Sequence, residues 1–284
     1  MKDFNGRVAV ITGAASGIGF GMAQVFGERG MKLVLADLDA DALDAAVTEL
    51  RNTGIEAVGQ TCDVSQLDQV EALADFTMAT YGAVHVLCNN AGVGLTTSTM
   101  NLNLKDWKWI IDIDLWGPIY GVKVFCPLIE AQGEGHICST SSMAGLTSSR
   151  SLGAYNVAKH GVVALMSTLE RELRSRKSKV TASVLCPGPI STNISSNSVK
   201  TRPEKTSGKK RHKEETPESK AIAERKAKKI QALLDEGMQP IEVGNLVADS
   251  IQENKFWILT HPQWTSTLER ELAAMQEDRS LTKG

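Results

Sequence analysis

The chain has 284 residues, 31 Lys and Arg against 33 Asp and Glu, a net charge of −2, and 42% hydrophobic residues. That length can bury a substantial core in one α/β domain, and the near-neutral balance argues against a global field for nucleic acid or an anionic membrane. Five dispersed cysteines, Cys62, Cys88, Cys126, Cys138 and Cys186, have no CxxC spacing, which argues against a disulfide framework or a metal site and reads as reduced core thiols.

A strand begins at Val8–Thr12, with no secretory leader before it and no apolar run long enough to span a bilayer, so a cytoplasmic protein is expected. Further strands are predicted at Lys32–Ala36, Glu56–Cys62, Val84–Asn89, Gly135–Thr140, Lys179–Leu185 and Phe256–Thr260. Between them, apolar residues at helical spacing predict helices near Gly17–Arg29, Asp39–Asn52, Gln66–Tyr81, Lys105–Ala131 and Gly153–Ser175. Such alternation predicts a doubly wound parallel sheet with helices on both faces, a three-layer αβα single domain over 1–284. The order breaks after Pro187-Gly188-Pro189. Residues 195–236 read as an insertion, first a mobile Ser-, Lys-, Pro- and Thr-rich loop to about Glu218 and then a helix from about Ser219. A C-terminal amphipathic helix is predicted over 262–276, built on Leu268, Leu272 and Met275.

The first strand runs directly into Thr12-Gly13-Ala14-Ala15-Ser16-Gly17-Ile18-Gly19 and then a helix. Glycines there let backbone approach a pyrophosphate, and the helix N-terminus offers N–H groups and a favourable dipole, so this order points to a Rossmann-type dinucleotide site. The second strand closes on Asp37, whose carboxylate can accept from adenosine ribose hydroxyls and would repel a 2′-phosphate. Neither Ser16 nor Leu38 is a cation that would greet that phosphate, so NAD is expected over NADP. A helix-capping acid is the other reading of Asp37.

Tyr155 and Lys159 stand four residues apart, on one face of a predicted helix. An ammonium there can favour the ionised phenol, which makes the pair a proton-transfer device. Taken alone, the same spacing also occurs on ordinary surface helices.

These motifs, together with Asp63-Val64 after the third strand, Asn89-Asn90-Ala91-Gly92 after the fourth, Ser142, and Pro187-Gly188 followed by Thr192, resemble the short-chain dehydrogenase/reductase family over nearly the whole chain. The resemblance implies that Gly13, Ser16, Gly17, Ile18, Gly19 and Asp37 hold the cofactor. It implies that Asp63 and Val64 border the adenine, that Asn90, Ala91 and Gly92 line the cofactor, and that Pro187, Gly188, Ile190 and Thr192 hold its nicotinamide end. It further implies that Tyr155 exchanges a proton with the substrate oxygen while a hydride moves to or from the nicotinamide. Lys159 would lower the tyrosine pKa and bind the nicotinamide ribose, and Ser142 would hydrogen-bond the reacting oxygen. Ser141 is the rival for that last role.

One position departs from the family pattern. Asp114 stands where the family usually has asparagine. An ionised aspartate only accepts hydrogen bonds, and beside Lys159 it would raise the lysine pKa and partly offset its pull on Tyr155.

Val93, Leu95, Met143, Leu152, Pro189 and the residues around Ile194 are the expected substrate side, with Ser142 and Tyr155 at the reacting oxygen. Being mostly apolar, they suit a bulky hydrophobic secondary alcohol or ketone, steroid-like or aryl. The insertion carries Lys209-Lys210-Arg211-His212-Lys213, read as a solvated face, with an anionic substrate group or a nucleic-acid contact as weaker readings. A homodimer through the helices carrying Trp116 and Tyr155, or a homotetramer, is expected. Two other functions stay open: a catalytically weak dinucleotide-binding or regulatory module, supported by Asp114, and an enzyme acting on acyl thioesters.

Overall fold

The computed structural model describes residues 1–203, 232, 234 and 236–277. Among these, seven parallel strands form one sheet in the order β3-β2-β1-β4-β5-β6-β7. They are β1 (Val8–Thr12), β2 (Lys32–Asp37), β3 (Ala57–Thr61), β4 (Val86–Asn89), β5 (Gly135–Thr140), β6 (Val180–Cys186) and β7 (Trp257–Leu259). Each falls within a residue or two of its predicted place, as strand ends usually do.

Helices cover both faces, because the strands bury side chains in both directions. In β1, Ala9 and Ile11 join a core layer with Met22, Phe26, Leu43 and Val247, whereas Val8 and Val10 join a second layer with Leu73, Phe125, Met166 and Leu169. Alternate residues point to opposite faces of a strand, so a continuous apolar run is what a sheet buried on both sides requires. The first layer is built by α1 (Gly17–Glu28), α2 (Ala40–Asn52) and α8 (Pro240–Gln252), the second by α3 (Leu67–Tyr81), α5 (Gly117–Ala131) and α6 (Gly153–Ser175). The five cysteines are free and buried. No helix among the described residues is long and apolar enough to cross a membrane.

The long helix expected at Lys105–Ala131 is interrupted. It comprises α4 (Leu104–Ile111), a π-helical turn at Asp112–Trp116, and α5. Gly117 N donates five residues back to Asp112 O, and Pro118 has no N–H with which to bond the Asp114 carbonyl four residues back. The extra residue in this turn carries Asp114 into the protein, where it has no exposed surface.

Two further departures concern the C-terminal third. Residues Ile194–Thr201 form a helix, α7, where a loop was expected. The C-terminal segment begins as a 3-10 turn at Pro262–Thr265 and continues as α9 (Ser266–Gln276); of its expected apolar anchors Leu268 is partly buried, whereas Leu272 is 56% and Met275 76% exposed. The basic cluster 209–213 and the helix expected from about Ser219 lie outside the described residues.

Candidate active site

The sheet order reverses between β1 and β4, and a crevice opens at the C-terminal ends of these strands, as doubly wound sheets dictate. A cavity of about 340 Å³ runs from Asp37 and Leu38 past Gly13, Ser16, Gly17 and Ile18 to Tyr155 and Lys159. Asp63, Val64, Asn90, Ala91, Gly92, Val93, Pro187, Thr192 and Ile194 also line it.

The glycine turn is shaped for close approach. Gly13 and Gly17 have φ of +63° and +56°, and a Cβ on Gly13 would lie 2.7 Å from Ala91 Cα. Ser16 makes no capping hydrogen bond, which leaves the first-turn N–H groups of α1 without a side-chain partner at the cap. This is the donor set an anion at a helix N-terminus uses. Thr12 ties the two crevice walls together: its hydroxyl accepts from Asn90 N at 2.9 Å and Ala91 N at 3.1 Å. Asn90 Nδ2 donates to Thr12 O at 3.0 Å, and Thr140 Oγ1 donates to Asn90 Oδ1 at 3.1 Å. At the far end, Asp37 Oδ2 accepts from Ala15 N at 3.0 Å and Oδ1 from Asp39 N at 3.1 Å, so its carboxylate is held in one orientation. A cradle of this shape and donor chemistry fits a nicotinamide dinucleotide.

At the other end, α6 presents Tyr155 and Lys159 one turn apart. Lys159 Nζ donates to Thr140 O at 3.1 Å and lies 3.4 Å from Asp114 Oδ2. Asp114 Oδ1 accepts from Val93 N at 2.7 Å. Gly92 faces the pair, and a Cβ there would lie 3.3 Å from Lys159 Nζ and 3.4 Å from Asp114 Oδ1. Burial raises the Asp114 pKa and the Lys159 charge opposes that rise. For Lys159, burial pulls downward, but Asp114 and then Tyr155 more than reverse it, and the net direction is upward. Tyr155 is also raised: burial outweighs the pull of Lys159, Asp114 adds to the rise, and a hydrogen bond from Ser142 opposes it. The expected lowering by Lys159 is thus present and overridden, chiefly by burial of the phenol and secondarily by the Asp114 carboxylate beside the ammonium.

The two serines differ in burial and partners, and it is Ser141 that lines the cavity. Ser141 is 1% exposed and its hydroxyl donates to Lys159 O at 2.8 Å, tying β5 to α6. Ser142 is partly exposed, turned towards the Tyr155 phenol, and accepts from Ala144 N at 3.1 Å.

Several expected residues, Ser142 among them, do not line the cavity. Met143 is 4% exposed and belongs to the core layer of α3, α5 and α6, so its side chain is not on the substrate wall. Ile190 is likewise buried, in the opposite layer. Gly19 packs beneath Gly13 O, Gly188 packs against His261, and Leu95 lies against a small apolar cluster around Trp109. Leu152 pairs with Thr97, and the Pro189 carbonyl accepts from Met238 N at 3.2 Å. Ser141, the rival to Ser142, does line it, as do Leu38 beside Asp37 and Asn193 beside the expected Ile194; Cys62, Ser65, Trp109, Ile113, Thr140, Asn197 and Thr201 line the cavity and were not expected to. The i, i+4 spacing of Trp109 with Ile113, and of Asn193, Asn197 and Thr201, was the available signal.

A family profile described as short chain dehydrogenase matches residues 7–203. The chain belongs to the short-chain dehydrogenase/reductase family. Like other short-chain dehydrogenases/reductases it is an oxidoreductase that uses a nicotinamide dinucleotide. Cα-dehydrogenase of Sphingobium is 34% identical over 279 residues, 97% of this chain and 87% of that protein. Cyclohexanol dehydrogenase of Acinetobacter is 33% identical over 194 residues, 68% of this chain and 76% of that one. A crystal structure of a short-chain dehydrogenase/reductase from Burkholderia phymatum in complex with NAD superposes with a TM-score of 0.91 at 38% identity, covering 100% of this chain and 99% of that one.

Proposed function

We propose that this enzyme moves a hydride between NAD(H) and a bulky hydrophobic secondary alcohol or ketone, steroid-like or aryl, with Tyr155 as general acid/base. The observation that carries the reading is a single cavity with a fixed carboxylate, Asp37, at one end and Tyr155 with Lys159 at the other. Val93, Trp109, Ile113 and Ile194 supply an apolar wall beside that tyrosine. The Acinetobacter relative, a cyclohexanol dehydrogenase, agrees with a secondary alcohol as substrate.

NAD is favoured over NADP because Asp37 places a negative charge where a 2′-phosphate would sit, and Leu38 beside it offers no cation. Gly13, Ser16, Gly17 and Ile18 hold the pyrophosphate, Asp63 and Val64 border the adenine, and Asn90, Ala91, Gly92, Pro187 and Thr192 line the rest. When bound, the nicotinamide accepts or supplies the hydride. Tyr155 takes the alcohol proton in oxidation and returns one to the ketone oxygen in reduction. Ser142 hydrogen-bonds the same oxygen and fixes its angle to the tyrosine. Lys159 holds positive charge beside the phenol, and Asp114 holds Lys159 in place at the cost of part of that charge's effect. A homodimer or homotetramer is part of the proposal, supported by the exposed Trp116, which stacks on Tyr120 with ring centroids 5.5 Å apart.

The deciding experiment is reduction of NAD and NADP by the purified protein across hydrophobic secondary alcohols, with Tyr155→Phe as control. Turnover with NAD should fall by about 10²-fold to 10⁴-fold in the variant while NAD binding is kept. The buried Asp114–Lys159 pair favours a second reading, a catalytically weak dinucleotide-binding module. That reading requires NAD binding without turnover on any alcohol, unchanged by Tyr155→Phe.

A further inference from the structure

Helix α7 is held over the cavity mainly by polar contacts. Among its eight residues only Ser198 is buried, and Val199 is 71% exposed, so apolar burial does little to fix its orientation. Two links fix it instead. Ser198 Oγ accepts from Gly94 N at 2.8 Å and donates to Ile194 O at 2.6 Å. Just past the last turn, Arg202 Nε and Nη2 donate to Asp106 Oδ1 and Oδ2 at 2.8 and 2.5 Å, a bidentate pair across 96 residues of chain.

Local sequence builds both halves of this pair. Pro203 disfavours helix at the residue before it, and Arg202 is extended, with φ −63° and ψ 131°, which ends α7. Asp106 lies in the first turn of α4, where the helix dipole favours a carboxylate. Asn103 caps that helix by accepting from Asp106 N at 2.9 Å, and its Nδ2 donates to Asp106 Oδ2 at 2.7 Å. The Asp106 side chain is 4% exposed and that of Arg202 23%. Removing either partner therefore leaves a charge that is largely shielded from water without its counterion.

The pair joins two walls of the substrate cavity. Trp109 stands three residues after Asp106 on α4 and lines the cavity, and Ile194, Asn197 and Thr201 line it from α7. We propose that Asp106 and Arg202 are positioning residues that set the spacing between the Trp109 wall and α7, and so the size of substrate the enzyme accepts. This inference rests on the cavity being the substrate site for a hydrophobic alcohol. A pair serving only global stability would have no reason to bridge these two cavity-lining helices, one of which is scarcely buried.

The test uses Arg202→Gln, Asp106→Asn and Arg202→Lys in the full chain. Steady-state kinetics with a bulky aryl alcohol and with cyclohexanol are combined with hydrogen–deuterium exchange of residues 194–201. For Arg202→Gln and Asp106→Asn, KM for the aryl alcohol should rise about tenfold or more, with a smaller change in kcat and in KM for cyclohexanol and none in KM for NAD. Exchange should quicken over 194–201 but not over β1 and β4. Arg202→Lys keeps the charge and loses the bidentate fork, and should recover only part of the loss. Unchanged KM overturns the proposal, even if exchange quickens. So does exchange that quickens throughout the sheet together with weakened NAD binding, which marks a global role. If the native protein oxidises no alcohol, the functional reading fails on its own account; the pair is then judged by exchange, where quickening confined to 194–201 supports it and no change overturns it.

Discussion

Lys159 Nζ lies 3.4 Å from Asp114 Oδ2, with the two side chains 4% and 0% exposed, so the ammonium next to Tyr155 is already half-occupied by a carboxylate. Nearby charge raises or lowers a phenol's pKa according to its sign, and here both signs act on Tyr155 at once.

Asp114→Asn removes the carboxylate that raises both Lys159 and Tyr155 while keeping an oxygen for the Val93 N–H. Tyr155 then loses its proton at lower pH. The ascending limb of log kcat/KM for alcohol oxidation should move to lower pH, measured by NAD reduction from neutral to alkaline conditions. A limb that stays in place or moves upward would show that Asp114 does not act on the phenol.

Ser141→Ala and Ser142→Ala should fail in different ways. The first deletes a buried hydrogen bond to Lys159 O and should cost about 1 kcal/mol in a urea titration. The second removes the proposed donor to the reacting oxygen and should lower kcat by about 10²-fold with little change in stability. Equal losses of kcat in both variants would contradict the division of roles drawn from their positions.

Asp37→Ser combined with Leu38→Arg should invert cofactor preference. The change removes the acceptor at the β2 end and adds a cation beside it, so the NADP-to-NAD ratio of kcat/KM should rise by about 10²-fold. The variant also loses the acceptor for Ala15 N and Asp39 N, so a lower melting temperature is expected alongside.

His136 should make the fold acid-sensitive. It has no exposed surface, its ring nitrogens lie 2.7 Å from Thr181 Oγ1 and Ser183 Oγ, and burial holds its pKa down at about 3. In the unfolded chain an imidazole titrates near ~6.5. Between these values the unfolded chain binds a proton that the folded one does not. The stabilisation is therefore complete above ~6.5 and is lost as pH falls towards the folded value, at about 1.4 kcal/mol per pH unit. Urea midpoints measured from neutral to mildly acidic pH should fall less steeply for His136→Gln than for the native protein; parallel curves would show that His136 is not the titrating group.

Much of this was readable from the chain. The strand positions and the two-faced burial follow from runs such as Val8–Thr12, because local apolar pattern and strand burial share one cause. The glycine turn and the Tyr155 to Lys159 spacing were legible because each is a short-range relation between residues a few positions apart, and Asp37 because it ends the second strand of the same βαβ unit. The side-chain direction of Met143 was not legible: an apolar residue beside a motif can face the cavity or the core, and sequence distance does not say which.

What the sequence determined by itself is the αβα order, the glycine turn at the β1–α1 junction and the placement of Tyr155 and Lys159 on one helix face, all set by local geometry and residue chemistry. Tertiary structure alone decided three matters that depend on contacts far apart in the chain. Asp114, in the π turn, meets Lys159; Ser141 links β5 to α6 through Lys159 O; and Arg202 reaches back to Asp106 just past α7. Each turns on the direction in which a side chain points after packing. That direction is set by the competition of burial and hydrogen bonding across elements rather than by the pattern within any one of them.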